Sequence, residues 1–276
     1  MSAVTMPRST SLSFPRLVRS EWIKLRSIRS TVWCYAIVVV LTLAMASLLG
    51  AVDTGVQRGA PTAVANELIV QVSAASVSLT ALVVGVLGVL IITGEYGTGQ
   101  IRSTFTADPG RTGVVLAKAF VLALTTFVVS AVATWIGVAI TTALQADRDI
   151  RPDLADPAVF MPILGSSVYV TLVALLAFGI GLLVRSSAGG IAITLGILLV
   201  LPTIVQIIGG LTNQQWIMDA SQFLPSSAGA QLYTFDSGAQ QGDGLHLGGW
   251  GGFGVLAGEV VVIGAIALAA ARSRDV

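Results

Sequence analysis

The strongest constraint on this chain is where charge is absent. No Asp, Glu, Lys or Arg occurs in Val32–Val52, Leu68–Gly94, Ala119–Ala146, Pro157–Val184 or Ser186–Met218, and Leu245–Ala271 holds only Glu259. A bilayer core about 30 Å thick takes roughly 20 apolar residues at 1.5 Å per residue, and every window is long enough. The windows predict an all-α membrane protein with six transmembrane helices, over 32–50, 68–93, 117–144, 160–184, 188–208 and 251–271, in one domain covering 1–276. A soluble alternative fails on composition. The chain is 54% apolar and only 11% charged, whereas a soluble domain carries about 25% charged residues. Too little polar chain would remain to cover six buried helices.

Lys and Arg placement orients the helices. With six crossings both termini share one side. That side holds Arg8, Arg16, Arg19, Lys24, Arg26, Arg29, Arg102, Arg111, Lys118, Arg185, Arg272 and Arg274, which is 12 of the 15 cations. Only Arg58, Arg148 and Arg151 lie on the other, beside an acidic set from Asp147 to Asp243. The bias predicts cytoplasmic termini. A cleaved signal peptide fits poorly, because the basic region runs to residue 30 and the first apolar stretch exceeds the usual 7–15 residues.

Residues 13–30 form an amphipathic pattern. Phe14, Leu17, Val18, Leu25 and Ile28 share a helical face with Trp22 at its edge, while Arg16, Arg19, Lys24 and Arg26 lie elsewhere. The pattern predicts a helix in the inner membrane interface, its cations toward anionic headgroups. Between spans two and three, Glu95 closes the apolar window, Thr98 is placed to cap a short helix over 98–107, and Ile101 and Phe105 fall at i and i+4 beside Arg102. Pro109-Gly110 ends it, followed by Arg111. A short capped helix with two apolar knobs and a cation reads as a docking element.

The membrane segments carry fewer signals. Gln71, Ser76 and Thr80 in span two, Gln206 near the outer end of span five, and Glu259 in span six are the candidates for a cargo path. An acid at the depth of Glu259 is costly and is predicted to face the bundle or a wet cavity. Pro202 predicts a kink in span five. The stretch 209–249 is too apolar for a free loop and predicts short outer helices, one starting at Pro225. One cysteine, Cys34, and one histidine, His246, exclude a disulfide framework and a multi-histidine metal site. A net charge of +1 gives no nucleic-acid footprint. No GxxxxGK[ST], HExxH or GxSxG motif occurs, so the sequence offers no phosphate loop and no catalytic constellation.

Glu95, Gly97-Thr98, Ile101-Arg102, Pro109, Arg111 and Lys118 resemble the region after the second helix of ABC-2 type transporter permeases. Ser20-Glu21-Trp22-Ile23-Lys24-Leu25-Arg26-Ser27 and Phe223-Leu224-Pro225-Ser226-Ser227-Ala228-Gly229 resemble actinobacterial members. Where such permeases often carry a second basic residue after the proline, this chain has Gly110. The resemblance implies a permease in the bacterial plasma membrane, paired as a homodimer or heterodimer and bound to two copies of a separate ABC ATPase. It implies no cofactor on this chain, with ATP and Mg held by the partner, and generally export. It casts residues 98–107 as a coupling helix that enters the ATPase, with Glu95, Thr98, Ile101, Arg102, Phe105 and Arg111 as the coupling residues. The other readings are a secondary transporter, which would favour internal repeats and charged residues at midplane, and a membrane scaffold or embedded enzyme. No repeat is visible, and Glu259 stands alone.

Overall fold

The computed structural model describes residues 13–52, 56, 58–101, 106, 111–235, 245 and 247–273. Every regular element among them is helical. Six are long and apolar enough to cross a bilayer: span one (Arg29–Ala51), span two (Thr62–Gly97), span three (Thr112–Ala146), span four (Pro157–Val184), span five (Ser187–Thr212) and span six (Gly249–Ser273). The chain is therefore a multi-pass membrane protein. An N-terminal helix, Phe14–Ser27, precedes span one and turns into it at Ile28, whose extended backbone makes the corner.

Spans two and four form the centre. About two thirds of their apolar windows are buried, 61% and 67%, against 11% for spans five and six. Gly88 permits the close approach of the central pair, since a Cβ there would lie 2.3 Å from the Ala174 carbonyl oxygen. Around it Val84, Leu87 and Ile92 pack with Val173, Ala174 and Phe178, all nearly or fully buried. Lipid tails are as apolar as leucine, so these contacts stabilise by close packing rather than by removal from water. Hydroxyl groups fasten the outer spans. Tyr35 Oη of span one hydrogen-bonds Thr125 and Thr126 of span three at 2.8 and 3.0 Å, and the Thr141 hydroxyl donates to the Ala46 carbonyl at 3.2 Å.

Two spans depart from a plain rod. Span two is not one helix over 68–93. It runs as Thr62–Ala74 and Val77–Gly97 with a turn at Ala75-Ser76. Its first piece packs against the loop between spans three and four, where the Asn66 amide donates to Asp156 and accepts from the Asp153 N–H. The Pro202 kink takes a definite form. Proline has no N–H and its ring crowds the carbonyl four residues back, so the ladder slips into a π-turn over Gly196–Val200, and the Leu201 N–H reaches Gly196.

Two short helices, Gln215–Ser221 and Pro225–Ala230, cap the far end between spans five and six, the second opening at Pro225 as predicted. Gly229 seats that helix against span four, because a Cβ there would fall 2.1 Å from the Tyr169 ring. Arg148 donates to the carbonyls of Ala51 and Val52, so a cation meets the negative end of span one's helix dipole.

Candidate functional site

At the end of the bundle that carries the termini, four charges converge from three helices. Glu21 and Lys24 lie one turn apart on the N-terminal helix, Glu95 two residues before the end of span two, and Lys118 near the start of span three. Lys118 Nζ donates to Glu95 Oε1 at 2.8 Å and to Glu21 Oε2. Lys24 Nζ donates to Glu21 Oε1 at 2.8 Å and to Glu95 Oε1 at 3.2 Å. Cations and carboxylates alternate around a ring with no net formal charge. Glu21, Glu95 and Lys118 are each only 5% exposed. Burial alone would lower the pKa of Lys24, but the Glu21 and Glu95 carboxylates outweigh it and hold the ammonium above its ordinary range. A cavity of about 10 Å³ adjoins the ring, walled in part by Leu25, Ile28, Ile91 and Val121, and matches the space of one water.

The ring shows why the N-terminal helix folds where it does. Leu25 is buried, Val18 packs on the core, and Phe14 meets Phe120 of span three edge-on at 6.4 Å. Glu21 sits mid-stripe, four residues from both Leu17 and Leu25. Arg16, Arg19, Trp22 and Arg26 are exposed. Lys24 is corrected: it turns inward to the two carboxylates rather than outward to headgroups, because two buried acids need a second cation.

The structure places three of the coupling candidates. Thr98 stands at the end of span two, and helical backbone resumes at Gln100-Ile101. Its hydroxyl donates back to the Gly94 carbonyl at 2.9 Å and closes span two, after which Gly99 turns the chain with φ +72°. Ile101 is 3% exposed and belongs to the central core, so it cannot fill a partner's pocket without leaving its own. Arg111 adopts a left-handed backbone and donates from Nη1 to the Ala271 carbonyl at 2.7 Å, tying span three to span six. Glu95 lies at the end of span two and pairs with Lys118 and Lys24 as a ring member. Arg102 and Phe105, within the half of the 98–107 segment formed by 102–105 and 107, lie outside the described residues.

The cargo-path candidates are not gathered. Gln71 is exposed and donates to Glu67 at 2.9 Å. Ser76 and Thr80 are buried at the break in span two, and the Thr80 hydroxyl donates to Val77 of its own helix. Gln206 is exposed on span five. Glu259 is half-buried, and its Oε2 has no hydrogen-bond partner among the described residues. Removing an unpartnered polar group costs little, so Glu259→Leu is expected to keep wild-type folded yield in detergent. A loss of yield would show that the carboxyl is bonded in the assembled protein.

Glu21 is the functional candidate that reading the sequence misses. Its signal is there: a carboxylate in the middle of an apolar stripe marks a buried pair. Among the described residues no three His, Cys, Asp or Glu side chains gather to hold a metal. The ring's carboxylates and amino groups bond one another. What it does is mechanical: it joins the N-terminal helix, the end of span two and the start of span three into one unit, directly at the base of segment 98–111.

A family model described as ABC-2 family transporter protein matches residues 17–212, from the N-terminal helix through span five. A search of the curated proteins finds no matching sequence.

Proposed function

The chain belongs to the ABC-2 family of membrane components of ABC transporters, and on that premise we propose that it is the permease subunit of an ATP-driven exporter. Two permease subunits form the translocation path, and two copies of a separate ATPase, holding ATP and Mg, dock beneath them in the cytoplasm. The observation that supports this reading is the buried ring at the base of segment 98–111. A push on that segment reaches spans two and three and the N-terminal helix together, because Glu95 and Lys118 bond each other and Glu21 bonds Lys118. Ile101, held in the core, anchors the start of the segment, and Phe105 with Arg102 supplies the contact to the ATPase. The N-terminal helix lies in the inner interface on Trp22 and Ile23, its arginines toward headgroups.

Purification of the full chain from native membranes tests this directly. An ATPase subunit should co-purify, and the complex should hydrolyse ATP while the isolated chain does not. A chain that purifies alone and moves solute on an ion gradient is a secondary transporter, and the proposal falls.

Orientation has its own test. With Cys34 replaced, single cysteines are placed at Gln100 and Arg151, both exposed at opposite ends of the bundle. An impermeant thiol reagent applied to intact cells should label position 151 and spare position 100. The reverse pattern would put the basic end outside.

A further inference from the structure

Arg185 is a cation whose charge is not met in this state. Its Nε and Nη2 are buried and have no hydrogen-bond partner among the described residues, and no ion pair joins it to a described carboxylate. The guanidinium lies over the Tyr96 ring, 5.3 Å from its centroid. A ring face offsets only part of the cost of burying an unpaired charge.

The matching unmet acceptor belongs to the residue before Tyr96. Glu95 gives Oε1 to Lys24 and Lys118, while its Oε2 is buried and has no partner among the described residues. The packing of spans two and four puts the two groups at one level. A Cβ on Gly88 would meet Ala174, and one on Gly181 would meet Val89 and Ile92, so the helices run in the same direction and end side by side. Glu95 and Arg185, with Arg111, all lie close enough to Tyr96 to act on its hydroxyl through space.

Arg185 also stands at a corner. It ends span four in a left-handed conformation, φ +58°, and with Ser186 makes the link to span five. Span five is pinned at the same level, where the Ser187 hydroxyl donates to Thr93 of span two at 2.8 Å. The four-charge ring reaches the N-terminal helix and spans two and three, but not this corner.

We propose that Arg185 is a further coupling residue, which donates to Glu95 Oε2 when ATP closes the transporter and so extends the ring to the corner between spans four and five. Glu95 Oε1 keeps Lys118 while Oε2 takes the guanidinium, so the Lys118–Glu95 bond survives the change. A pair made in only one of two states favours that state by its own interaction energy. The proposal rests on the reading of the chain as an ATP-driven permease.

The test uses the complex purified from native membranes, without nucleotide and after trapping with ATP, Mg and vanadate. Arg185→Lys keeps the cation and supplies an amine. A carbodiimide activates the Glu95 carboxyl, and an amine in contact with it displaces the urea to form an amide. Peptide mass spectrometry compares the 95–185 link with the 95–118 link, which the ring supplies in both states. The ratio should rise on trapping by at least about fivefold, the low end of coupling between sites. Arg185→Gln, Glu95→Gln and the double variant give a second measurement: their non-additivity in thermal unfolding should be larger in the trapped complex than without nucleotide. An unchanged ratio, or equal non-additivity in the two states, would overturn the proposal. If Arg185→Lys fails to fold, the non-additivity decides alone. ATP hydrolysis by the same wild-type preparation separates the two readings. With hydrolysis present, a negative result removes only the role of Arg185; without it, the permease reading falls and this proposal with it.

Discussion

Lys118→Met is expected to destabilise the folded chain by about 3–5 kcal/mol, the cost of breaking a buried ion pair by removing one partner. Methionine keeps the length and apolar stem of lysine, so the loss is almost wholly that of the charge. Glu21 and Glu95 would then share Lys24 alone, two carboxylates against one half-buried ammonium. Adding Glu21→Gln removes one acid with the base and leaves the Lys24–Glu95 pair at 3.2 Å. The double variant should therefore be less destabilised than the sum of the singles by about 0.5–3 kcal/mol. Thermal unfolding in detergent, with folded yield as a second readout, checks both. Wild-type stability in Lys118→Met would show that the ring does not hold the three helices. The pH dependence has a definite sign. Lys24 has its pKa raised, so its contribution is complete below its ordinary value and is lost only as pH rises through the higher folded value. Between pH 6 and 9 that contribution should not change.

The second large effect falls on coupling. Truncating an anchor that fills a partner pocket often costs 2 kcal/mol or more. Phe105→Ala should weaken ATPase binding about thirtyfold and abolish transport, with normal membrane insertion because the residue lies outside the spans. Arg102→Ala should be milder and should worsen as salt rises, since a rim cation acts mainly on encounter. Ile101→Ala should behave differently from both. Its side chain belongs to the core, so truncation should lower the stability of the chain by about 2–5 kcal/mol. Normal ATPase binding by Phe105→Ala would remove segment 98–107 as the docking element.

The spans were legible because exclusion of charge over 20 residues is a signal that runs along the chain. Pro202 was legible for the same reason: its missing N–H breaks a ladder wherever it stands, although the π-turn upstream is the backbone's own answer. The break at Ala75-Ser76 carries no such mark, since neither residue forbids a helix. Pairing across the bundle was not legible at all. Lys118 and Glu21 are 97 residues apart, and only the crossing of three helices brings them together. Ile101 shows the limit of spacing. The i, i+4 pattern identifies a shared face, but the same pattern serves a face turned toward the chain's own core and one turned toward a partner. Polar residues in the spans were ambiguous likewise, and the Thr80 hydroxyl turns out to bond its own helix.

A separate ATPase should meet this permease through the segment after span two. The contact can be trapped with a photo-activated benzoylphenylalanine at Phe105 in the full chain, within native membranes. Illumination should give one dominant cross-linked product, this chain joined to a nucleotide-binding subunit, weakened when benzoylphenylalanine sits instead at exposed Arg151 on the far end. A product joined only to lipid, or no protein product while the complex still hydrolyses ATP, would contradict it.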